Sequence, residues 1–279
     1  MRIALVYNPH MAPARLAKVA ALARVLEARG HALTHHDSQQ FRAGDAACDL
    51  VCICGGDGTA QLVVDSQSDP AALPLVAVYP TGTINLLARE LDYPADPAAF
   101  ALRIESGRNP VISPLATVNG RTFLCCVSVG ADAHAVAALS EPLKARIGRL
   151  AYVVALAKVL TRWPRTAFEV DCDGMRFDAE ALFALRGHFY AGPWTLDPLA
   201  SLDRPALRLI ALPRARRRDV LGLALHALLG RSAPRSAWRV LDAHRVTVRG
   251  AAVPVQIDGD MGGATPLDLA MTDKAVRFA

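Results

Sequence analysis

Aromatic residues are scarce in this chain: Phe, Trp and Tyr together make up 6% of 279 residues. The few present do not interleave with the basic residues, so the stacking platform of a nucleic-acid binder is missing and no nucleic-acid partner is expected. No apolar stretch reaches the ~20 residues of a membrane-spanning helix. The two longest candidates, Leu150–Leu160 and Val220–Gly230, are short and carry Lys158 and His226. The N-terminus lacks a basic region, a long apolar core and a cleavage site, so no signal peptide is read and a cytoplasmic location is expected. The cysteines lack C-x-x-C spacing and neighbouring His partners. Cys48, Cys52, Cys54, Cys125, Cys126 and Cys172 mostly fall in apolar, strand-like runs, where a reduced cysteine acts as a small hydrophobe. His35-His36-Asp37 is not a ligand cluster either, because adjacent strand residues point to opposite faces. Internal repeats and low-complexity tracts are also absent.

What is present is a globular composition, 52% apolar and 20% charged, with a length that predicts two domains or one large α/β unit. The net charge of +5 divides unevenly: residues 1–114 hold 9 basic and 11 acidic side chains, residues 115–279 hold 22 and 15. The positive excess belongs to the second half, which predicts an anionic partner; with nucleic acid disfavoured, that partner is the negative face of a membrane. Arg214, Arg216, Arg217 and Arg218 lead into the apolar helix pattern Asp219–Leu229 and form the clearest basic cluster. It reads either as a lipid-facing patch or as a solvated turn before a core helix.

The first 114 residues alternate strand and helix patterns: Ile3–Tyr7, helix Ala14–Arg29 closed by Gly30, His31–His35, Leu50–Cys54, helix Ala60–Asp65, Leu75–Tyr79, helix Ile84–Leu91. This alternation predicts a parallel sheet with crossover helices. After Pro110 strands dominate: Ala116–Asn119, Phe123–Val129, Ala167–Asp171, Arg176–Leu185, Leu207–Leu212, Arg245–Val248 and Val253–Ile257, interrupted by helices at Lys144–Leu160 and Asp219–Leu229. Asn119-Gly120 and Asp173-Gly174 mark hairpin turns, since these pairs tolerate positive φ. The expected fold is therefore α/β in two domains: an N-terminal Rossmann-like nucleotide-binding domain, 1–114 with 266–279, and a C-terminal β-rich, sandwich-like domain, 115–265.

Two loops carry the chemistry. Gly55-Gly56-Asp57-Gly58-Thr59 directly follows a strong strand and opens a helix; its glycines let backbone amides turn toward an anion, and the helix N-terminus adds its dipole. Asp57 is unfavourable beside bare phosphate and needs a metal ion or a donor. Pro80-Thr81-Gly82-Thr83-Ile84-Asn85 follows the next strong strand and again opens a helix, so both loops belong at the carboxyl ends of parallel strands, where ligands bind. Neither loop has the Walker A or the G-x-G-x-x-G form.

With these motifs in hand, the chain resembles the catalytic domain of the diacylglycerol kinase and sphingosine kinase superfamily, in its soluble bacterial lipid kinase branch. The resemblance rests on Gly55–Thr59 and on Pro80-x-Gly82-Thr83-x-Asn85-x-x-Ala88-Arg89. It extends through Val127–Ala133, the basic segment Lys144–Tyr152 and the closing Asp258-Gly259-Asp260. It implies that Asn8, Gly55, Gly56, Asp57, Gly58, Thr59, Thr83 and Asn85 hold ATP. Asp258 would be the general base for a lipid hydroxyl, and Asp260 would stand where the family's Glu helps to bind Mg-ATP. ATP and Mg²⁺ are the implied cofactors, diacylglycerol or a similar lipid alcohol the acceptor, and the inner face of the membrane a peripheral location. Oligomeric state stays open, a homodimer included. Taken without the resemblance, Asp258-Gly259 reads as a hairpin turn.

Three positions depart from the family's pattern. His10-Met11 replaces a small Ser-Gly pair after Asn8-Pro9, which lowers the expected ATP affinity. Asp260 is a methylene shorter than Glu. Leu202-Asp203-Arg204-Pro205 occupies the place of Leu-Asp-Asp-Gly, so Arg204 stands where the resemblance implies a structural magnesium ligand, and no metal is assigned there. The rival readings are an NAD kinase, which shares the Gly-Gly-Asp-Gly loop, and a nucleotide-binding protein with little or no kinase activity.

Overall fold

The first four strands of the chain form a parallel sheet; three are apolar runs buried along most of their length, as crossover helices on both faces require, while the edge strand Ala32–Asp37 stays largely exposed. The strands are β1 (Arg2–Tyr7), β2 (Ala32–Asp37), β3 (Leu50–Gly55) and β4 (Leu75–Pro80), with helices α1 (Pro13–Ala28), α2 (Asp57–Asp65), α3 (Leu86–Glu90) and α4 (Pro97–Glu105). The computed structural model describes residues 1–45, 47–137, 165–214, 216–233 and 237–279. It divides into two units, Met1–Leu115 with Thr272–Ala279, and Ala116–Met271.

In the first unit the strand order is β2-β1-β3-β4, all parallel. All of β3 is buried, and α1 lays Val19, Leu22, Ala23 and Leu26 against the core, each large side chain being worth ~1.5–3 kcal/mol. Helix α1 ends where Gly30 takes a φ of +83°, a left-handed closure that costs glycine nothing. Arg29 and His31 beyond it reach Glu105 at the end of α4, at 2.9 Å from Nε and 2.7 Å from Nε2. The last residues of the chain return to this sheet: Phe278 pairs in parallel with Val76 of β4.

The second unit is built from two antiparallel sheets. One contains β8 (Phe168–Cys172), β9 (Met175–Ala179), β15 (Arg245–Gly250) and the start of β18 (Leu267–Phe278), with β5 (Val111–Val118) and β6 (Arg121–Phe123) alongside. The other runs β14-β13-β10-β7-β16-β17, that is Arg239–Ala243, Leu207–Leu212, Ala181–Leu185, Cys126–Val129, Pro254–Ile257 and Asp260–Ala264. Phe123, Phe168, Val170, Leu182, Leu209, Val246, Val255 and Leu269 from both sheets share one core, giving a sandwich-like domain. Among the described residues this unit also holds helix α5 (Ala131–Ala137), the short pair β11 (Phe189–Tyr190) and β12 (Trp194–Thr195), and helix α6 (Arg217–Leu228).

Two expected strands are each divided. Phe123–Val129 becomes β6 and β7, because the amides of Leu124, Cys125 and Cys126 leave the ladder for the Asp258 carboxylate. Arg176–Leu185 becomes β9 and β10, which lie in different sheets, with Glu180 at the crossing. Gly130 makes room there: a Cβ on it would stand 2.6 Å from the Glu180 carbonyl oxygen. The expected helix Lys144–Leu160 lies outside the described residues. Among the described residues, no helix is long and apolar enough to cross a membrane.

Candidate functional site

From β1 the chain first adds β2 on one side and then crosses to place β3 on the other, so the strand order reverses between β1 and β3. The crevice outside the carboxyl ends of the strands at such a reversal is where open α/β sheets bind ligands. Asn8 follows β1 there, Gly56–Thr59 follow β3, and the Thr81–Asn85 loop follows β4.

Asn8 organises its own loop. Its Oδ1 accepts from the His10 amide at 2.8 Å and its carbonyl from the Met11 amide at 3.2 Å. Gly56 is the N-cap of α2, and its carbonyl accepts from Thr59 and Ala60. A Cβ at Gly55 would lie 2.4–2.7 Å from the Thr59 side chain, so only glycine lets Thr59 fold back over the strand end. At Gly82 a Cβ would meet Asn85 Oδ1 at 2.6 Å and Gly56 Cα at 2.8 Å. The two loops therefore touch backbone to backbone, and Gly82 is the residue that permits it.

Asp57 locks this contact. Its two carboxylate oxygens accept from the Leu86 and Leu87 amides, both at 2.9 Å, charge-assisted bonds worth ~1.5–3 kcal/mol each. The donor that the sequence demanded for Asp57 is thus the first turn of α3. Asn85 precedes that turn in a left-handed conformation, φ +54°, and donates from Nδ2 to the Gly82 carbonyl at 2.9 Å. Its Oδ1 is buried and has no hydrogen-bond donor among the described residues, an orphaned acceptor at the junction of both loops. Thr83 is exposed at the loop tip. Glycine backbone and hydroxyls at one strand edge fit a phosphorylated ligand held mainly through amides, while the unmatched Asn85 Oδ1 suits a donor group of that ligand, a hydroxyl or an amine, and not its phosphate.

Asp258 and Asp260 belong to the second unit, at the hairpin joining β16 and β17. Ile257 pairs with Asp260, and the two residues between have φ of +48° and +93°, the geometry of a type I′ turn. Asp258 is 7% exposed. Its Oδ2 accepts from the Leu124 amide at 2.8 Å, and its Oδ1 from Cys125 and Cys126 at 2.8 and 2.9 Å. A carboxylate offers about four lone-pair directions, and three are engaged by these amides. Asp258 is therefore a turn residue, as the hairpin reading expects, with a carboxylate held by backbone amides. Asp260 is exposed at the start of β17.

A polar cluster in this unit draws on the Val127–Ala133 segment but joins it to residues that the sequence did not connect with it. Asp132 on α5 accepts from Ser128 Oγ at 2.6 Å and from the Tyr190 hydroxyl, while Ser128 Oγ also bonds Gln256 Oε1 at 3.1 Å. Desolvation pushes the Asp132 carboxyl above its ordinary range, against the pull of its two hydroxyl donors. Its members come from β7, α5, β11 and β16, so no local spacing announces it; Gly130-x-Asp132 is the one visible sign.

Comparison with known proteins adds the following. Residues 2–115 match the family described as diacylglycerol kinase catalytic domain, and residues 125–279 match the YegS C-terminal NAD kinase beta sandwich-like domain. The diacylglycerol kinase of Bacillus subtilis (strain 168) is 28% identical over 248 residues, covering 86% of this chain and 81% of that protein. A crystal structure of a diacylglycerol kinase from Bacillus anthracis has the same fold, with a TM-score of 0.72 at 20% identity over all of this chain and 97% of the other. An NAD kinase from Archaeoglobus fulgidus, solved in complex with ATP, is a more distant likeness, with a TM-score of 0.54 at 15% identity over 100% and 93% of the two chains.

Proposed function

We propose, from the premise that this chain belongs to the diacylglycerol kinase catalytic-domain superfamily, that it transfers the γ-phosphate of ATP to the hydroxyl of diacylglycerol or a similar lipid alcohol. The observation that carries the nucleotide half of this reading is the backbone contact of Gly56 with Gly82 at the strand-order reversal, locked by Asp57 and leaving Asn85 Oδ1 unmatched. Asn8, Gly55–Thr59, Thr83 and Asn85 then hold ATP, the glycine amides and hydroxyls taking phosphate and Asn85 Oδ1 accepting from a donor group of the nucleoside. Asp57 acts through the shape of the cradle, because α3 amides occupy its carboxylate. The ATP-bound neighbour of similar fold agrees with nucleotide use.

Asp258 is the proposed base for the acceptor hydroxyl. Phosphoryl transfer has a loose transition state, so positioning outweighs basicity. A carboxylate fixed by three amides meets that need at little entropic cost. Mg²⁺, when bound with ATP, would neutralise phosphate charge, and Asp260 stands where the resemblance implies a carboxylate that helps to hold it. Catalysis by this chain then reduces to holding phosphate with glycine amides and presenting one aligned carboxylate.

Membrane contact falls to α6. Leu221, Leu225, Leu228 and Leu229 are each 56–59% exposed and recur at helical spacing, whereas Val220, Leu223 and Ala227 face inward. Arg214, Arg216, Arg217 and Arg218 precede the stripe and Arg231 follows it, all on the surface. An apolar stripe flanked by arginines suits the headgroup boundary of an anionic bilayer. The test of the kinase reading is acceptor-dependent ADP formation. ADP should accumulate only when a lipid alcohol is supplied in vesicles; equal ADP without acceptor, or none with any acceptor, would refute it.

A further inference from the structure

A buried cation organises the loop that leads into β13. Arg186, the residue after β10, is 2% exposed and fixed at its own amide by the Cys125 carbonyl at 2.8 Å. Its Nη1 donates to the carbonyls of Arg204 and Ala206 at 2.9 and 3.3 Å, and its Nη2 to that of Leu202 at 2.8 Å. Burial draws the guanidinium down to about 10, so it still carries its charge at neutral pH. Taking such an ion out of water is unfavourable unless its protons are matched, and here alternate carbonyls of one loop match them. Main-chain carbonyls converging on a charge are the donor set a hard metal cation takes.

This is the loop where the family resemblance implies a structural magnesium ion, and its residues do not fit one. Arg204 stands in place of the second Asp, and its Nη2 pairs with Asp242 at 2.9 Å. Asp203 is turned to the Ser201 hydroxyl. The buried Asp197 at the head of the loop is engaged by Arg208 Nε at 2.7 Å, by Ser232 Oγ and by the Leu199 amide. Among the described residues, no group of three or more His, Cys, Asp or Glu is placed to hold a metal.

We propose that the Arg186 guanidinium is the resident cation of the 197–206 loop, so that the second unit of this chain folds and holds its shape without a structural divalent ion. Any Mg²⁺ requirement then belongs to the nucleotide alone.

The test uses the intact protein without nucleotide. A stabilising metal site held at a hundred times its Kd would raise Tm by roughly 5–10 °C in a protein of this size. We expect EDTA and millimolar Mg²⁺ to give the same Tm within ~1 °C, and mass-spectrometric metal analysis to find no stoichiometric divalent ion. A rise of several degrees with Mg²⁺, or one retained ion per chain, would overturn the proposal. Arg186→Gly adds a second arm: its Tm should fall, and low concentrations of guanidinium ion should recover part of the loss where Mg²⁺ does not. Recovery by Mg²⁺ in place of guanidinium would overturn it too. If that variant does not fold, the wild-type measurements still decide.

Discussion

Replacing Gly82 by Ala tests the cradle where it is tightest. The new methyl would sit 2.8 Å from Gly56 Cα and 2.6 Å from Asn85 Oδ1, against an ordinary carbon contact of ~3.5–4.0 Å. Backbone stands on one side and a side chain fixed to the Gly82 carbonyl on the other, so relief requires the two loops to part by up to ~1 Å. Overpacking of this kind costs ~1–3 kcal/mol, roughly 3–15 °C in Tm for a unit of this size. Because the methyl separates the surfaces that would hold phosphate, the larger effect falls on function: a misplacement of ~1 Å costs about 100-fold in rate. Calorimetric ATP titration, initial transfer rates and thermal melts on one preparation separate these effects. Gly222→Ala is the control, since a Cβ there meets nothing within 4 Å and alanine favours the helix by ~0.5–1 kcal/mol. ATP affinity and transfer rate both within about twofold of wild type would refute the cradle.

The other predictions concern separate sites. Asp258→Asn should abolish transfer while ATP still binds, and should also lower Tm, because an amide NH₂ would face donors that the carboxylate now accepts. Undiminished turnover removes Asp258 from the mechanism, and an unchanged melt contradicts its amide cradle. Arg29, with His31 adding to it, holds the Glu105 carboxyl down to about 2 from an ordinary 4.5. Its contribution is therefore complete above about pH 4.5 and lost as pH falls toward 2. Glu105→Gln should thus be less stable than wild type at neutral pH, the gap closing in acid; a gap independent of pH would count against the pair. Replacing Leu221, Leu225 and Leu228 by Ser should weaken sedimentation with anionic vesicles, as should replacing Arg214, Arg216, Arg217 and Arg218. Unchanged binding in both sets would make α6 an ordinary surface helix.

The parallel sheet was legible because β3 and β4 are short unbroken apolar runs, each closed by a glycine loop and followed by a helix pattern, and that length and alternation place them inside an α/β layer. The hairpins at Asn119-Gly120 and Asp173-Gly174 were legible for a similar reason: both central residues of each take positive φ, which few other pairs tolerate. Helix α4 escaped notice although Asp96-Pro97 supplies its N-cap and first residue, Asp96 Oδ1 accepting from Ala99. The breaks in Phe123–Val129 and Arg176–Leu185 were illegible because no glycine, proline or turn pair marks where the chain changes sheets: the first is apolar nearly throughout, and the second keeps a strand's alternation from Arg176 to Ala181, through the crossing. At the site, residue types pointed to the two loops, but their mutual fit did not follow from spacing. The Gly56–Gly82 contact and the bonds from Asp57 to α3 join residues some thirty positions apart. The Arg186 cation was hidden for the same reason, its carbonyl partners carrying no side-chain signature.

The destination of the γ-phosphate tests the central claim most directly. With γ-labelled ATP, Mg²⁺, and diacylglycerol and NAD competing in one vesicle suspension, the label should pass into the organic extract as a phosphorylated lipid and leave NAD unlabelled. Label on NAD with none in the lipid would contradict the account.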